Sequence, residues 1–290
     1  ASNNTAVGKN SLTANTTGGS NTSLGASALA ANTTGSSNVA VGVTTLDANT
    51  TGADNVAMGN GALGANTTAD DNVAIGHEAL TTNTTGIRNT AISSFSLDAN
   101  STGENNTAVG YASLSANTTA SNNTGLGYFA LSTNTTGTEN TAVGYLALQD
   151  ATTAGYNTAL GSEAAKNITT GNLNVAVGVE ALASNTVGDR NVAMGYQALL
   201  TLNPDSNVDS YNTAIGHASL KSLTTGTKNT AIGGLAMETA TTGVDNTALG
   251  YGALFANTTA SNNTGLGKSA LAANTTGAEN VAVGADAGTA

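Results

Sequence analysis

Large aliphatic and small residues alternate over a few positions, and the alternation returns every 17 residues. Around Asn140-Thr-Ala-Val-Gly144, and in every equivalent stretch, the residue before the glycine position is a large aliphatic (Val7, Leu24, Val41, Met58, Ile75 and onward to Val283). The one before that is small (Ala6, Ser23, Ala40, Gly125), and the third is Thr or Val (Thr5, Val39, Val56, Thr141). This alternation predicts a short strand with two unlike faces. Four residues past the glycine position stands Leu in fourteen of the units, with Ala165, Met237 and Gly288 as departures. The next position varies freely (Asp47, Gly64, Gln149, Lys166, Phe255), which marks solvent. The Leu beside it therefore points inward, and a second short strand is expected there. Each unit closes with a corner such as Asn15 to Gly18 or Asn134 to Gly137. Asn and Gly accept left-handed backbone angles, so this is turn chemistry.

The period is marked by asparagine. Asn4, Asn21, Asn38, Asn55, Asn72, Asn89, Asn106, Asn123, Asn140, Asn157, Asn174 and Asn191 are each 17 residues apart. After one slip of four residues the series resumes at Asn212, Asn229, Asn246, Asn263 and Asn280. A fixed short period covering the whole chain predicts a solenoid in which each copy is one coil stacked on the next. The expected fold is all-β: a parallel β-solenoid, or β-roll, of about seventeen 17-residue coils with two short strands per coil, forming one repeat domain over 1–290. Coils stacked at about 4.8 Å would span roughly 80 Å. The slip falls within 200–211, contains the only proline, Pro204, and reads as a protruding loop over 203–209. The recurring Asn is expected to form a structural ladder, each amide bonding its neighbours above and below and capping turn carbonyls.

Facing is the open point. With the large aliphatics inside, Ala6, Ala40, Ala57, Ala74, Ala108 and the glycine column form an uncharged outer strip suited to lateral packing, most simply in a homotrimer. The reverse assignment puts Ala in a narrow interior and makes the aliphatics the contact, because a period of two does not label inside from outside.

Composition narrows the function. The chain has three Phe, no Trp, no Cys, thirty-six Gly and only 9% charged residues, so the core is thin and regularly filled. Net charge is −11, and the seven basic residues (Lys9, Arg88, Lys166, Arg190, Lys221, Lys228, Lys268) are scattered. No basic stripe offers itself to nucleic acid, and no apolar run approaches the length of a membrane span. A Cys-free, Thr/Asn-rich repeat suits an extracellular or cell-surface protein.

The units at 4–8, 38–42 and 280–284 (Asn-Thr-Ala-Val-Gly and Asn-Val-Ala-Val-Gly) resemble the head repeats of YadA-like trimeric autotransporter adhesins. They are also similar to repeats of bacteriophage tail fibres. The resemblance covers the whole chain and implies a left-handed parallel β-roll, three chains side by side, and attachment to surfaces. The 17-residue period is longer than the usual unit of those repeats, because the Asn-Thr-Thr-Gly corner is extended. Placing a second copy after Ala290 with a three-residue gap continues the phase, so head-to-tail stacking is geometrically natural; a piece of a longer fibre fits equally.

Candidate sites are few. His77 and His217 share a corner position in distant units, and no acid, base and nucleophile cluster, so an enzyme is not expected. Acidic residues recur shortly before the Asn (Asp54, Asp70, Asp71, Glu104, Glu139, Asp245, Glu279). Carboxylates beside turn carbonyls could hold Ca²⁺, but many units lack them, and solubility accounts for them; no cofactor is expected. Tyr111, Tyr128 and Tyr145 follow the glycine in successive units and predict an outer aromatic ladder, open to glycans or to a neighbouring fibre. Asn15, Asn32, Asn49, Asn66, Asn83, Asn117, Asn134, Asn257 and Asn274 each begin a glycosylation sequon, which turn preference also explains. Ice binding would need a flat, unsubstituted Thr face, and the strand Thr is often Val. The expected function is a non-enzymatic structural or adhesive fibre, self-associating laterally or end to end. A phage tail-fibre shaft or an ice- or glycan-binding solenoid are the alternatives, and a host surface or glycans the possible outside partners.

Overall fold

The structure, a computed structural model, describes residues 2–289 and is all-β, with parallel strands stacked as a solenoid and no helix among the described residues. It forms two compact units, Ala1–Asn140 and Thr141–Ala290. The first contains β1 to β8: Thr5–Val7, Thr22–Leu24, Val39–Val41, Val56–Met58, Val73–Ile75, Thr90–Ile92, Thr107–Val109 and Thr124–Leu126. The second contains β9 to β17: Thr141–Val143, Thr158–Leu160, Val175–Val177, Val192–Met194, Thr213–Ile215, Thr230–Ile232, Thr247–Leu249, Thr264–Leu266 and Val281–Val283. Within each unit every strand pairs in parallel with the equivalent strand of the next coil, residue on residue, as Val39 on Val56 and Ala40 on Ala57. Backbone hydrogen bonds thus close between coils, for example Val56 N–H to the Asn72 carbonyl at 2.9 Å.

Each coil holds one strand rather than the two expected. The Leu segment is a run of turns in which left-handed residues recur at every second position, as at Glu78 (φ 54°) and Leu80 (φ 53°). A strand needs strongly negative φ throughout, so an inward Leu beside a variable position has the right facing but the wrong backbone. The Leu is still core, fully buried in most coils, and its N–H reaches the next coil, as Leu63 to Ala79 O at 3.0 Å. A non-glycine residue in this region is strained by about 1–2 kcal/mol, which burial of the Leu side chain, about 1.5–3 kcal/mol, offsets. Where the column carries Gly288, φ is 66°, so the geometry belongs to the position.

The corner glycine after each strand is required twice over. Gly59 has φ 134°, and a Cβ there would lie 2.3 Å from the Gly76 carbonyl oxygen of the next coil. Ser93 takes this position at φ 116°. Ser93→Gly is expected to raise stability by about 1–2 kcal/mol by relieving that strain, read as a shift of the urea midpoint at unchanged m-value.

Two polar ladders run through the interior. In the expected one, each Asn Oδ1 accepts the backbone N–H of the next Asn in the series, as Asn38 Oδ1 from Asn55 N at 3.1 Å. Each Nδ2 donates to a turn carbonyl, as Asn38 to Gly52 O at 2.8 Å. The second ladder was not expected. The corner Asn of the Asn-Thr-Thr-Gly segment is also inside, and its amides bond one another: Asn49 Nδ2 donates to Asn32 Oδ1 at 2.9 Å and to Gly52 O at 2.9 Å. The Gly52 carbonyl therefore accepts from both ladders, filling its two lone pairs. In the second unit this ladder is interrupted by Ile168, Leu202 and Leu223, all fully buried, while Asn185 and Asn257 keep the amide. Asn134 Oδ1, followed in the column by Ala151, and Asn257 Oδ1 are buried without a partner, whereas Asn185, followed by Leu202, accepts the Gly188 N–H at 2.9 Å.

Candidate interaction face

The strands reverse the preferred facing. Ala40, Ala57, Ala74 and Ala108 are fully buried, whereas Leu24 and Leu160 are each 48% exposed and Met58 is 42% exposed. The small residues line the interior, and the aliphatics with the strand Thr/Val look outward. The expected outer Ala strip is therefore corrected, and the reason is room. The buried Leu from the opposite side of the coil fills the interior: a Cβ on Gly125 would sit 3.3 Å from Leu114 Cγ and 2.5 Å from Ser113 Oγ. Only Ala, Ser or Gly fits there. The glycine column owes its composition to close backbone approach, not to lateral packing.

The outward strand residues make a two-column face in each unit, one column Thr or Val and the other Val, Leu, Ile or Met. No charged residue falls in either column. With eight strands at about 4.8 Å, the face of the first unit is roughly 38 Å long. Every neighbouring outer column does carry charge, for example Glu78 and Glu163 two residues past the glycine, and Asp54 and Arg190 just before the Asn.

Aromatic rings border this face in the first unit. Tyr111 and Tyr128 stack at 5.6 Å and 16°, as expected of a ladder. Tyr145 opens the second unit and is exposed. Three further rings join that the expected ladder lacked. His77 meets Phe95 edge-on at 5.3 Å, Phe95 meets Tyr111 at 5.8 Å, and Phe129 meets Tyr128 at 4.6 Å. Phe95 and Phe129 lie two residues after the glycine position, where the left-handed backbone turns the side chain toward the adjoining column. These ring–ring contacts, one stacked and the others edge-on, account for the cluster. His217 stacks in the same way on Tyr196, at 5.4 Å and 20°.

The sequon asparagines are not presented to solvent. Asn32, Asn49, Asn66, Asn83, Asn117, Asn134 and Asn257 are fully buried members of the second ladder, and Asn66 Nδ2, for example, is engaged at 2.9 Å by Asn49 Oδ1. A glycan on these atoms is incompatible with the folded coil. Asn15 and Asn274, in the outermost coils, are partly accessible.

The acidic residues serve the backbone or face solvent. Asp70 Oδ1 accepts the Ala53 N–H of the preceding coil at 2.7 Å, while Asp54, Asp71, Glu139, Asp245 and Glu279 sit at a left-handed corner. The insertion folds back on its coil: Pro204 and Ser210 are buried, Arg190 pairs with Asp209, and the Arg190 guanidinium lies over the Tyr211 ring at 5.7 Å. Asn203, Asp205, Ser206 and Asn207 do protrude.

Asp98 and Asp47 titrate abnormally. Burial is the main cause in both, pushing the carboxyls above the ordinary value; backbone N–H groups oppose it, and Glu78 adds to the rise at Asp98. Asp98 Oδ1 is also buried without a partner. A carboxyl raised in the folded state contributes stability that is complete below the ordinary value of 3.8 and is lost as pH rises through the folded value. Asp98→Asn is accordingly expected to raise the melting temperature at pH 7 and to leave it unchanged at pH 3, by thermal scans at the two values.

No protein-family model and no curated protein matches the chain, and the role of its face is read from the residues that form it.

Proposed function

We propose that this chain is a non-enzymatic structural repeat protein of the cell exterior whose outward strand face packs side by side against further copies of the chain. One observation carries the reading. The face is uncharged along both units, while the rest of the surface holds the charge that gives a net −11. Repeated apolar residues facing water are unfavourable, and contiguous apolar patches of this length mark contacts. A partner built on the same coil spacing meets the face residue for residue, and an identical chain has that spacing. The three-chain arrangement implied by the YadA-like resemblance is one such packing, and an adhesive or tail-fibre role would build on it.

Sedimentation of the full chain tests this. Association at micromolar concentration into multiples of 28.1 kDa is expected; a monomer at all concentrations up to about 100 µM, weaker than roughly 5 kcal/mol of association, would refute it.

A further inference from the structure

The two units present the same side chains in the same order. From Val7 to Leu126 the last strand residue reads Val, Leu, Val, Met, Ile, Ile, Val, Leu. From Val143 to Leu266 it reads Val, Leu, Val, Met, Ile, Ile, Leu, Leu, so seven of eight coils agree. The first strand residue also agrees in seven of eight coils, the exception being Val73 against Thr213. The spacing is 136 residues as far as Met58 and Met194, and 140 from Ile75 and Ile215 onward, because the insertion lies between. Two other outer columns keep nothing of this order. Two residues past the glycine position, and again beside the buried Leu, none of the eight pairs is identical; Phe95 answers to Leu235 and Asp98 to Glu238.

This contrast has a physical meaning. On a solvated sheet face Val, Leu, Ile and Met are close to interchangeable, since each merely fits a pleated surface. In a packed contact one methylene matters: a cavity costs about 0.5–1.5 kcal/mol for Ile to Val, and overpacking about 1–3 kcal/mol. Retention of the order of sizes on the outward face, against its loss in those two columns and agreement in only three of eight pairs directly after the glycine, is the signature of a packed contact. The two faces are then equivalent to any partner that fits one of them.

Resting on the self-association reading, we infer that each unit is a separate docking module and that the modules are interchangeable between copies. The face of the first unit in one copy packs coil for coil on the face of the second unit in another, so that the pairing is shifted by one unit. The shift preserves the size match in seven of eight coils. It also leaves a free module on each copy, ready for the next. Such a contact joins two different faces, so it can recur from copy to copy without any end-to-end contact.

The absence of cysteine allows a direct test. Met58→Cys and Met194→Cys are made separately in the full chain, given different tags, mixed, and oxidised. A disulfide-linked species carrying both tags, at a yield within about threefold of the same-tag dimers, is the expected result. Same-tag dimers alone, joining 58 to 58 and 194 to 194, would show strict in-register packing and overturn the shift while leaving self-association intact. Met58→Cys joining Ile215→Cys in preference to Met194→Cys would mean antiparallel overlap, and would overturn it as well. No cross-link in any mixture, together with a monomeric mass, would remove the self-association reading itself.

Discussion

Ile92→Glu combined with Ile232→Glu is expected to reduce the assembly to monomer while leaving the coil folded. One substitution lies on the outward face of each unit, and Ile92 is already 37% exposed in the single chain. Folding therefore loses little, within about 1 kcal/mol for a polar residue on a solvated strand face. Association loses much more. Each glutamate would be taken out of water against apolar side chains with no cation in either face column, and an unpaired buried charge costs several kcal/mol. Two such sites per copy predict a loss of at least about a hundredfold in association constant, roughly 2.7 kcal/mol. Sedimentation and circular dichroism on one sample separate the two effects. Thr85→Glu, on the exposed corner away from the face, should leave the mass unchanged. Equal loss from Thr85→Glu would mean that added charge, not the face, disperses the chains.

Asn72→Ala, inside the first ladder, is expected to be strongly destabilising. Its Oδ1 accepts the Asn89 N–H at 3.0 Å, and its Nδ2 donates to the carbonyls of Gly86 at 3.0 Å and Asp70 at 3.1 Å. Asn72 is fully buried, so truncation strands the Asn89 N–H where water does not reach it and leaves the Gly86 carbonyl with Asn83 Nδ2 as its one remaining side-chain donor. Each unmade buried bond costs about 1–3 kcal/mol, giving about 3 kcal/mol in all, plus the cavity. Urea unfolding measures it. The second ladder predicts a different tolerance. The second unit already places Ile168, Leu202 and Leu223 in this column, so exchanging a run of adjacent amides for aliphatics is expected to cost less per residue than exchanging one, which strands its neighbours. A loss at Asn72→Ala no larger than about 0.5 kcal/mol, the range of ordinary surface changes, would show that the ladder carries no stability.

The period, the parallel stacking, the inward Leu and the first Asn ladder could be read from the residues, because each follows from repetition and from which positions vary. Facing could not be read from alternation alone, since a one-residue inversion keeps the same pattern. A further signal was present: the middle strand position accepts only Ala, Ser or Gly, with Gly125 and Gly265 at the extreme. That size ceiling is the mark of a crowded interior, and the Leu114 side chain supplies the crowding at Gly125. The second strand failed for a backbone reason, because left-handed residues such as Glu78 and Leu80 project side chains at a spacing of two just as a strand does. The corner asparagines carried two meanings, turn chemistry and a sequon, and their true place inside depends on corner carbonyls such as Gly52 O turning inward. The wider aromatic cluster went unseen because Phe95 and Phe129 lie one position beyond the Tyr column.

The chain carries its own probe of the central claim. It has three methionines: Met58 and Met194 on the outward face of the two units, 42% and 39% exposed, and Met237 fully buried in the Leu column. Peroxide converts an accessible methionine to its sulfoxide, which mass spectrometry reads at each site. If the face is packed against other copies, Met58 and Met194 will be protected in the assembled protein nearly as well as Met237, and both will become reactive in the Ile92→Glu/Ile232→Glu variant while Met237 stays protected. Oxidation of Met58 and Met194 at the rate of free methionine in the wild-type protein, with Met237 protected, would show a face open to water and contradict the account.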